Sequence, residues 1–386
     1  MKILIIRTFP DILNLKSYNV QEVGLAKALV KKGHRCDIVL YNGKEKDWIQ
    51  EYKFVCEGKE LQFKIYWMHG IGFLKNGFMP SVKKIISEYD VIQVHEYDQI
   101  FSWQLYTKQK KPTIVYHGPY YDAFAKGYNL KCKIFDTIFL PLRKVADVVT
   151  VTKSKLATEF LKERGFQQII TAGVGINLDN FGVNPKEYPV QQSKKKNLLY
   201  VGKLEERRNI YFLIDVFREL NKRNSNIRLV VIGNGEQEYK EKFLKSIENE
   251  LKEGSIVYRE KATQKELRSY YSEASVFLLP SYYEIFGMVL LEAMYFGVPV
   301  VSSINGGSTT LIENDYNGFI MKEFNKFQWA NCIQNIMLNK EVFNKIRENA
   351  RRTIESGYTW EALADKFLEA YELAITNFGR IGVNGK

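Results

Sequence analysis

The sequence predicts two α/β domains, each built on a doubly wound and mainly parallel sheet. Short apolar runs alternate with segments of helical periodicity, and this alternation starts twice, once at the first residues and again near position 197. At 386 residues the chain is also too long for one ordinary core. Ligands bind beyond the carboxyl ends of the strands in such sheets, so we expect the site in a cleft between the two domains.

The first domain is predicted over residues 1–185. It opens with an apolar strand at 2–6, and a helix follows at 20–33, where apolar residues mostly recur three or four positions apart. Gly33 supplies the stop for this helix, and a second strand follows at 36–41. This order implies a parallel sheet with helices on its faces. Further strands that run into polar loops are predicted at 90–98, 112–121 and 146–154.

A linker is predicted at 186–196, within a segment that holds two prolines, paired glutamines and a run of three lysines. The second domain is predicted over 197–360, followed by a helix at 361–378 and a polar tail at 379–386. Within the second domain the pattern predicts strands at 197–204, 227–235 and 275–281 and helices at 209–223 and 265–274.

Composition limits the classes of partner. The formal charge of +12 favours an anionic partner, such as a phosphorylated ligand, nucleic acid or a lipid surface. None of the four cysteines has a partner at CxxC spacing, so reduced thiols in a cytoplasmic protein are expected. The apolar start indicates a buried strand rather than a signal peptide, and no apolar run reaches the ~18 residues of a membrane span.

Two glutamates stand out because one of them lies inside the apolar segment "SYYEIFGMVLLEAMYFGVPVV". Residues 287–296 suit a mostly buried helix, with Gly297 as its C-terminal cap. Glu284 then lies in the loop before the helix, and Glu292 lies about 7.5 Å along its axis. The helix N-terminus suits phosphate, and carboxylates on either side suit sugar hydroxyls. Spacing alone also allows a capping glutamate and a helix glutamate paired with a lysine.

The same segment resembles the signature of the retaining glycosyltransferases of family 4, also called group 1, which have the GT-B fold. The two glutamates eight residues apart, the Phe-Gly after the first, the Gly-x-Pro-Val-Val strand and the pair Gly306–Gly307 fall in register. The likeness spans most of the chain and is strongest from 197 to 320. It implies two Rossmann-like domains facing across a cleft, with the helix at 361–378 crossing back to the first domain.

The resemblance implies a donor site in the second domain. Glu292 would bind the donor ribose, and Glu284 would lie beside the donor sugar. The loop "YVGKLEERRN" supplies Lys203 and Arg208, two cations that would neutralise a diphosphate leaving group without a metal. Basic residues on an exposed turn are the alternative. The expected donor-binding residues are Gly202, Lys203, Arg208, Gly233, Glu284, Ile285, Phe286, Gly287, Met288 and Glu292.

In the first domain the resemblance places His117, in "VYHGPYY", in contact with the transferred sugar. A hydrogen-bonded structural histidine is the alternative, and a structural role is expected for His95. The expected catalytic residues are Glu284, His117, Lys203 and Arg208. Three positions depart from the family pattern: residues 11–22 contain no glycine, Asn209 replaces a glycine, and Thr310 replaces a glutamate.

The resemblance implies retention at the anomeric carbon, with the leaving diphosphate helping to deprotonate the acceptor. The sequence has no Asp-x-Asp or His-Glu-x-x-His motif, so metal independence and no cofactor are expected. The expected donor is a UDP- or GDP-sugar. The expected acceptor is a glycan or lipid-linked acceptor in the synthesis of cell-envelope polysaccharide, lipopolysaccharide or glycolipid. Two alternatives stay open: a nucleotide-sugar epimerase and a nucleotide-sugar-binding protein without transferase activity. No nucleic-acid-binding module is recognised.

A basic and apolar segment at 126–144 suits peripheral attachment to the inner face of the cell membrane. Its cations and apolar residues are Lys126, Lys131, Lys133, Arg143 and Lys144, with Leu130, Ile134, Phe135, Ile138, Phe139 and Leu142. A helix packed on its own sheet is the alternative.

Overall fold

The structure is a computed structural model that describes residues 1–73, 75–108, 111–142, 144–178, 181 and 195–384. Unit 1 comprises Met1–Gly175 and Trp360–Lys386, and unit 2 comprises Ile176–Thr359. The chain therefore passes into the second unit ten residues before the predicted end of the first domain at residue 185. The predicted linker at 186–196 lies almost entirely outside the described residues.

Unit 1 is built on a sheet of eight described strands, in the order β10-β9-β8-β7-β1-β2-β4-β3. Neighbouring strands are parallel except for β3 and β4, which form an antiparallel edge. The strands of this sheet are β1 (Lys2–Ile6), β2 (Arg35–Tyr41), β3 (Trp48–Cys56), β4 (Lys59–Met68), β7 (Val91–His95), β8 (Thr113–His117), β9 (Val149–Thr152) and β10 (Ile169–Thr171). A separate antiparallel pair consists of β5 (Ile71–Phe73) and β6 (Asn76–Phe78).

The helices of unit 1 include the last helix of the chain, which packs on the first. They are α1 (Gln21–Lys31), α2 (Ile100–Thr107), α3 (Lys126–Ile138), α4 (Lys155–Lys162) and α13 (Trp360–Asn384). A Cβ on Gly24 of α1 would lie 2.2 Å from the Trp360 indole nitrogen, so only glycine permits this approach. Lys31 and Lys32 pair with Glu361 and Asp365, each at 2.7 Å. The predicted return of the C-terminal helix to the first domain is confirmed, and the helix runs on into the predicted tail.

Unit 2 contains a sheet of six described strands, all parallel, in the order β13-β12-β11-β14-β15-β16. The strands are β11 (Lys196–Val201), β12 (Ile227–Ile232), β13 (Ile256–Arg259), β14 (Ala274–Leu279), β15 (Val300–Ser303) and β16 (Phe319–Met321). The helices are α5 (Ile210–Arg223), α6 (Gln237–Ser246), α7 (Glu248–Lys252), α8 (Gln264–Glu273), α9 (Met288–Tyr295), α10 (Gly306–Leu311), α11 (Lys326–Leu338) and α12 (Lys340–Gly357). Short 3-10 segments lie in unit 1 at Pro80–Lys84, Ile86–Glu88, Ala123–Ala125 and Leu140–Leu142, and in unit 2 at Glu206–Arg208.

The strand order of unit 2 determines where a ligand can bind. The chain builds outward from β11 in one direction, to β12 and β13, and then continues on the other side with β14. The loops that follow β11 and β14 therefore lead to opposite sides of the sheet and leave a crevice between them at its carboxyl edge. These two loops carry Lys203, Arg208 and Glu284, so the topology brings the predicted donor residues together.

Candidate functional site

The loops after β11 and β14 are in direct contact. The amide of Tyr282 donates a hydrogen bond of 2.9 Å to the carbonyl of Arg207, and Arg207 Nη1 donates one of 2.8 Å to the carbonyl of Tyr283. An ion pair joins Arg208 Nη1 to Oε1 of Glu284. Two predicted site residues, one from each loop, are thus brought together.

Three basic side chains gather around a single carboxylate, that of Glu205. Its oxygens lie 3.3 Å from Lys203 Nζ, 2.7 Å from Arg207 Nε and 3.8 Å from Arg208 Nε. Arg207 Nη1 also lies 3.7 Å from Oε2 of Glu284. Sequence reasoning missed Arg207 and Glu205, because the spacing that matched the family pattern involves only the first and last cation of the turn.

The cations differ in their access to solvent. The Lys203 side chain is 57% exposed, whereas that of Arg208 is only 14% exposed. Burial lowers the pKa of the Arg208 guanidinium, and the adjacent charge of Arg207 acts in the same direction. A buried cation is stable only beside an anion, and the buried carboxylate of Glu284 supplies one here.

The loop from Glu284 to Met288 is held against the start of α10. Gly306 donates its amide hydrogen to the carbonyl of Glu284 at 3.0 Å. A Cβ on Gly307 would lie 1.8 Å from the carbonyl oxygen of Phe286, so this position requires glycine. Gly287 has a φ of +74° and caps α9, which begins at Met288. Ile285, Phe286, Gly287 and Met288 thus form the turn that leads from β14 into α9.

Glu292 lies in the middle of α9 and is 1% exposed. Its Oε2 accepts a hydrogen bond of 2.8 Å from the hydroxyl of Tyr271 in α8. The Tyr271 ring in turn stacks on Phe296, with ring centroids 5.4 Å apart. The two signature glutamates make different contacts: Glu284 pairs with arginines, and Glu292 accepts a hydrogen bond from a tyrosine.

The glycines after β11 and β12 permit close contact between two turns. A Cβ on Gly233 would lie 1.8 Å from the carbonyl oxygen of Gly202, and one on Gly235 would lie 2.1 Å from that of Leu204. The Gly202 amide donates to the carbonyl of Ile232 at 3.0 Å. Gly202 and Gly233 therefore set the position of the turn that carries the cations.

In unit 1, His117 ends β8 and is fully buried. Its Nδ1 lies 2.5 Å from Oε2 of Glu96, which also accepts the amide of Gly118 at 3.1 Å. Burial acts to raise the pKa of Glu96, but the charges of His117 and Lys153 and these hydrogen bonds outweigh it and lower that pKa to about 2. Glu96 has a φ of +59°, unusual for this residue type. Sequence reasoning missed this partner of His117.

Known proteins are similar to this chain in sequence and in fold. Residues 186–353 match the family model described as glycosyl transferases group 1. The resemblance to the group 1 glycosyltransferases is confirmed. An uncharacterized glycosyltransferase of Methanocaldococcus jannaschii is 24% identical, over 92% of this chain and 94% of its own length. The lipopolysaccharide 1,2-N-acetylglucosaminetransferase of Salmonella typhimurium is 29% identical, over 55% of this chain and 60% of its own. These relatives support glycosyltransferase activity for the chain.

Solved structures confirm the GT-B fold. A sucrose-phosphate synthase from Thermosynechococcus elongatus superposes with a TM-score of 0.71 at 17% identity, over 96% of this chain and 98% of that one. Anabaena HepE, solved in complex with UDP-glucose, gives a TM-score of 0.64 at 15% identity, over 96% and 99% of the two chains. At these identities the likeness concerns the fold alone.

The departures from the group 1 pattern have local explanations. Asn209, which replaces a glycine, has a φ of +51°, a conformation that asparagine tolerates better than most residues. Asn19, within the segment that lacks glycine, has a φ of +49° and donates from its amide to the carbonyl of Gly175 at 3.1 Å. Thr310 lies inside α10, where its hydroxyl bonds the carbonyl of Gly306 at 2.7 Å.

His95 is buried at the end of β7, as expected for a structural histidine. Burial lowers its pKa to about 4, although Glu22 Oε1, 3.7 Å from its Nδ1, acts in the opposite direction. Its carbonyl accepts hydrogen bonds from the hydroxyls of Thr8 and Ser102 at 3.1 and 2.6 Å. Burial therefore favours a neutral imidazole in the core of unit 1.

Glu96, Asp98 and His117 form a group whose ligand atoms lie within 4.8 Å of one another. Lys131 Nζ lies 2.9 Å from Asp98 Oδ2, and Lys153 Nζ lies 3.7 Å from Glu96 Oε1. Two ammonium groups therefore already balance the two carboxylates, which disfavours a divalent cation at this position. The expectation of a metal-independent enzyme stays a prediction.

Helix α3 presents an apolar stripe to solvent. Leu130, Ile134 and Ile138 follow one another at intervals of four residues and are 62%, 52% and 53% exposed. Cys132 and Phe135 on the other side are buried. The surrounding cations include the exposed Lys126, Lys133 and Lys144, whereas Arg143 lies outside the described residues. Within the described residues, no helix has the length and apolar character that crossing a membrane requires.

Proposed function

We propose that the protein transfers a sugar from a nucleotide-sugar to a hydroxyl group of a glycan or lipid-linked acceptor, with retention at the anomeric carbon. The observation that carries this proposal is the convergence of Lys203, Arg207 and Arg208 on Glu205, with both arginines also paired to Glu284. A cluster of three cations at the carboxyl edge of a doubly wound sheet suits a diphosphate. The group 1 likeness supports the sugar as the transferred group.

The proposed reaction needs stabilisation of the leaving group above all. The bond between the anomeric carbon and the β-phosphate oxygen breaks, and a bond to the acceptor oxygen forms on the same face of the sugar. The acceptor proton passes to the departing phosphate oxygen. Lys203, Arg207 and Arg208 stabilise the negative charge that develops on the diphosphate, together with the amide groups of the first turn of α9. No protein nucleophile or cofactor is required.

The two signature glutamates would orient the donor. Glu284 would accept hydrogen bonds from the donor sugar once the diphosphate competes for its arginine partners. Glu292 would accept the ribose hydroxyls beside the hydroxyl of Tyr271. A UDP- or GDP-sugar is the proposed donor; Anabaena HepE, which shares the fold, was solved with a donor of this kind, UDP-glucose. His117 stays a predicted sugar contact, based on the resemblance.

The proposed acceptor belongs to the cell envelope, and the Salmonella relative acts on lipopolysaccharide. We also propose that α3 attaches the protein to the inner face of the membrane, because its exposed apolar stripe is flanked by lysines. Ile134→Glu should reduce co-sedimentation with vesicles containing anionic lipid. Val55→Glu is the matched control, since Val55 is 74% exposed on β3. Equal binding of Ile134→Glu and Val55→Glu would contradict the role of α3.

The decisive experiment is a thermal-shift panel with UDP, GDP, ADP, CMP and their sugars. A ligand that binds the native state raises the melting temperature by mass action. One nucleotide family should stabilise the wild type and fail to stabilise Glu292→Ala, whereas the exposed control Glu253→Ala should respond like the wild type. If no nucleotide shifts the wild type, a donor site in unit 2 is refuted. NMR of the product's anomeric proton then tests retention.

A further inference from the structure

We infer that Glu205 is an internal anion that occupies the position of the donor's diphosphate until the donor binds. This inference rests on the proposed function and specifies how the same site is regulated. Glu205 follows β11 by four residues and lies in the turn that carries all three cations. Its side chain is 26% exposed, so the carboxylate lies at the boundary between the cations and solvent.

The first argument is the charge that the turn brings together. Lys203, Arg207 and Arg208 each lie within 4 Å of Glu205, and both arginines also pair with Glu284. Three positive charges so close together repel one another strongly unless anions lie between them. Glu284 alone leaves this group with an excess of two positive charges, and Glu205 reduces the excess to one. Without a ligand, Glu205 therefore stabilises the folded turn.

The second argument is the geometry of these contacts. Glu205 Oε1 is buried and lies 2.7 Å from Arg207 Nε and 3.8 Å from Arg208 Nε. Neither Oε1 nor Arg208 Nε makes a hydrogen bond of normal geometry within the described residues. The pairs are thus electrostatic contacts rather than aligned, charge-assisted hydrogen bonds, which are the stronger kind. A diphosphate offers more acceptor oxygens in more directions and can align with these donors better than one carboxylate.

The consequence is competition between Glu205 and the ligand. A diphosphate that enters the turn meets the negative charge of Glu205, so the carboxylate must move towards solvent. This displacement reduces the affinity for every ligand that carries a diphosphate, including the nucleoside diphosphate product. Weaker product binding shortens the lifetime of the product complex and favours release after transfer. Glu205 thus tunes the affinity of the site rather than contributing to the chemical step.

The test is the affinity of Glu205→Gln for the nucleoside diphosphate that stabilises the wild type. Titration calorimetry should give a dissociation constant about two- to fivefold lower than that of the wild type, because one competing ion pair partner is removed. Inorganic pyrophosphate should show the same tightening. Glu206→Gln is the matched control: it removes the same charge one residue further on, from an exposed side chain. Its affinity should equal that of the wild type.

Two further variants make the outcome specific. Glu205→Asp keeps the charge but withdraws the carboxylate by one methylene, so its affinity should lie between those of wild type and Glu205→Gln. In a double-mutant cycle with Arg207→Gln, the gain from Glu205→Gln should shrink, because Arg207 makes the shortest contact with Glu205. Unchanged or weaker binding by Glu205→Gln would overturn the inference and make Glu205 a support for the cations. A wild type that binds no nucleoside diphosphate would instead refute the proposed function.

Discussion

The hydroxyl of Tyr271 donates a 2.8 Å hydrogen bond to Glu292, a buried carboxylate in the middle of an apolar helix. Tyr271→Phe should lower the free energy of unfolding by about 1–3 kcal/mol, because the buried carboxylate loses a donor. The same variant should weaken nucleotide binding, since Glu292 loses the partner that orients it. Urea denaturation and nucleotide titration measure the two effects separately.

The neighbouring Tyr270 provides the control for this prediction. Tyr270→Phe also removes one hydroxyl from α8 but keeps the ring beside Arg259. It should leave both stability and nucleotide affinity close to the wild type. If Tyr271→Phe weakens neither stability nor binding, the hydrogen bond has no role in orienting Glu292.

Gly307 should not tolerate even a methyl group. In Gly307→Ala the new Cβ would lie 1.8 Å from the Phe286 carbonyl oxygen, so the loop that carries Glu284 must shift. We expect a loss of about 1–3 kcal/mol in stability, typical of overpacking, together with weaker donor binding. Thermal unfolding with and without nucleotide measures both. Gly357→Ala is the control in the same unit, because a Cβ there meets no atom within 4 Å. A Gly307→Ala variant as stable as Gly357→Ala would contradict the steric argument.

The sequence predicted the framework of unit 2 well, because each local signal agrees with the topology there. Strand runs, helical periodicity and glycine turns place Lys203, Arg208 and Glu284 at the ends of β11 and β14, and the strand order then brings them together. The resemblance to the group 1 motif added the roles expected of these three residues in binding the donor. The carboxyl-edge location thus followed from pattern and topology without any knowledge of side-chain contacts.

Other contacts could not be predicted, since they depend on where side chains meet in space. Glu205 and Arg207 look like ordinary polar turn residues, and their convergence appears only when the turn is folded. Glu96 pairs with His117 across neighbouring strands, 21 residues apart in sequence. The antiparallel strand β3 was also missed. It alternates between exposed and half-buried residues and contains no strongly buried position that would mark it as a core strand.

Asn209 should be replaceable by glycine but not by a β-branched residue. Its φ of +51° lies in the left-handed region, where glycine has no steric cost and valine has a large one. Asn209→Gly should keep the wild-type melting temperature within a few degrees. Asn209→Val should lose about 1–2 kcal/mol of stability and weaken nucleotide binding, because the turn that carries Arg208 must change. Equal stability of the glycine and valine variants would show that the left-handed conformation is unimportant.

Removal of divalent metal should leave transferase activity unchanged. The proposed leaving-group stabilisation comes from Lys203, Arg207 and Arg208, and the carboxylates near His117 are already balanced by two lysines. Activity is measured after dialysis against a chelator, with and without added magnesium or manganese. Lys203→Gln serves as a comparison, since it should lower activity whether or not metal is present. Loss of wild-type activity on chelation, restored by metal, would refute the prediction.

Acid should destabilise unit 1 partly through His95. Burial lowers the pKa of His95 from 6.5 to about 4 in the folded protein, so between these values the unfolded chain binds a proton that the folded one does not. Stability must therefore fall as the pH decreases through this window. From pH 7.5 to 5.0 the contribution of this one group is about 2 kcal/mol.

His95→Gln should lose less stability than the wild type over the same pH range, because glutamine does not titrate. Urea unfolding of both proteins at pH 7.5 and 5.0 gives the difference, which should be about 2 kcal/mol. His69→Gln, at an exposed position, should behave like the wild type. Glu96 affects stability in a lower pH range. Its pKa is 4.5 ordinarily and about 2 in the folded protein, so its contribution to the free energy of unfolding is lost only as the pH falls below 4.5. Parallel losses in wild type and His95→Gln would show that His95 does not titrate as a buried neutral group.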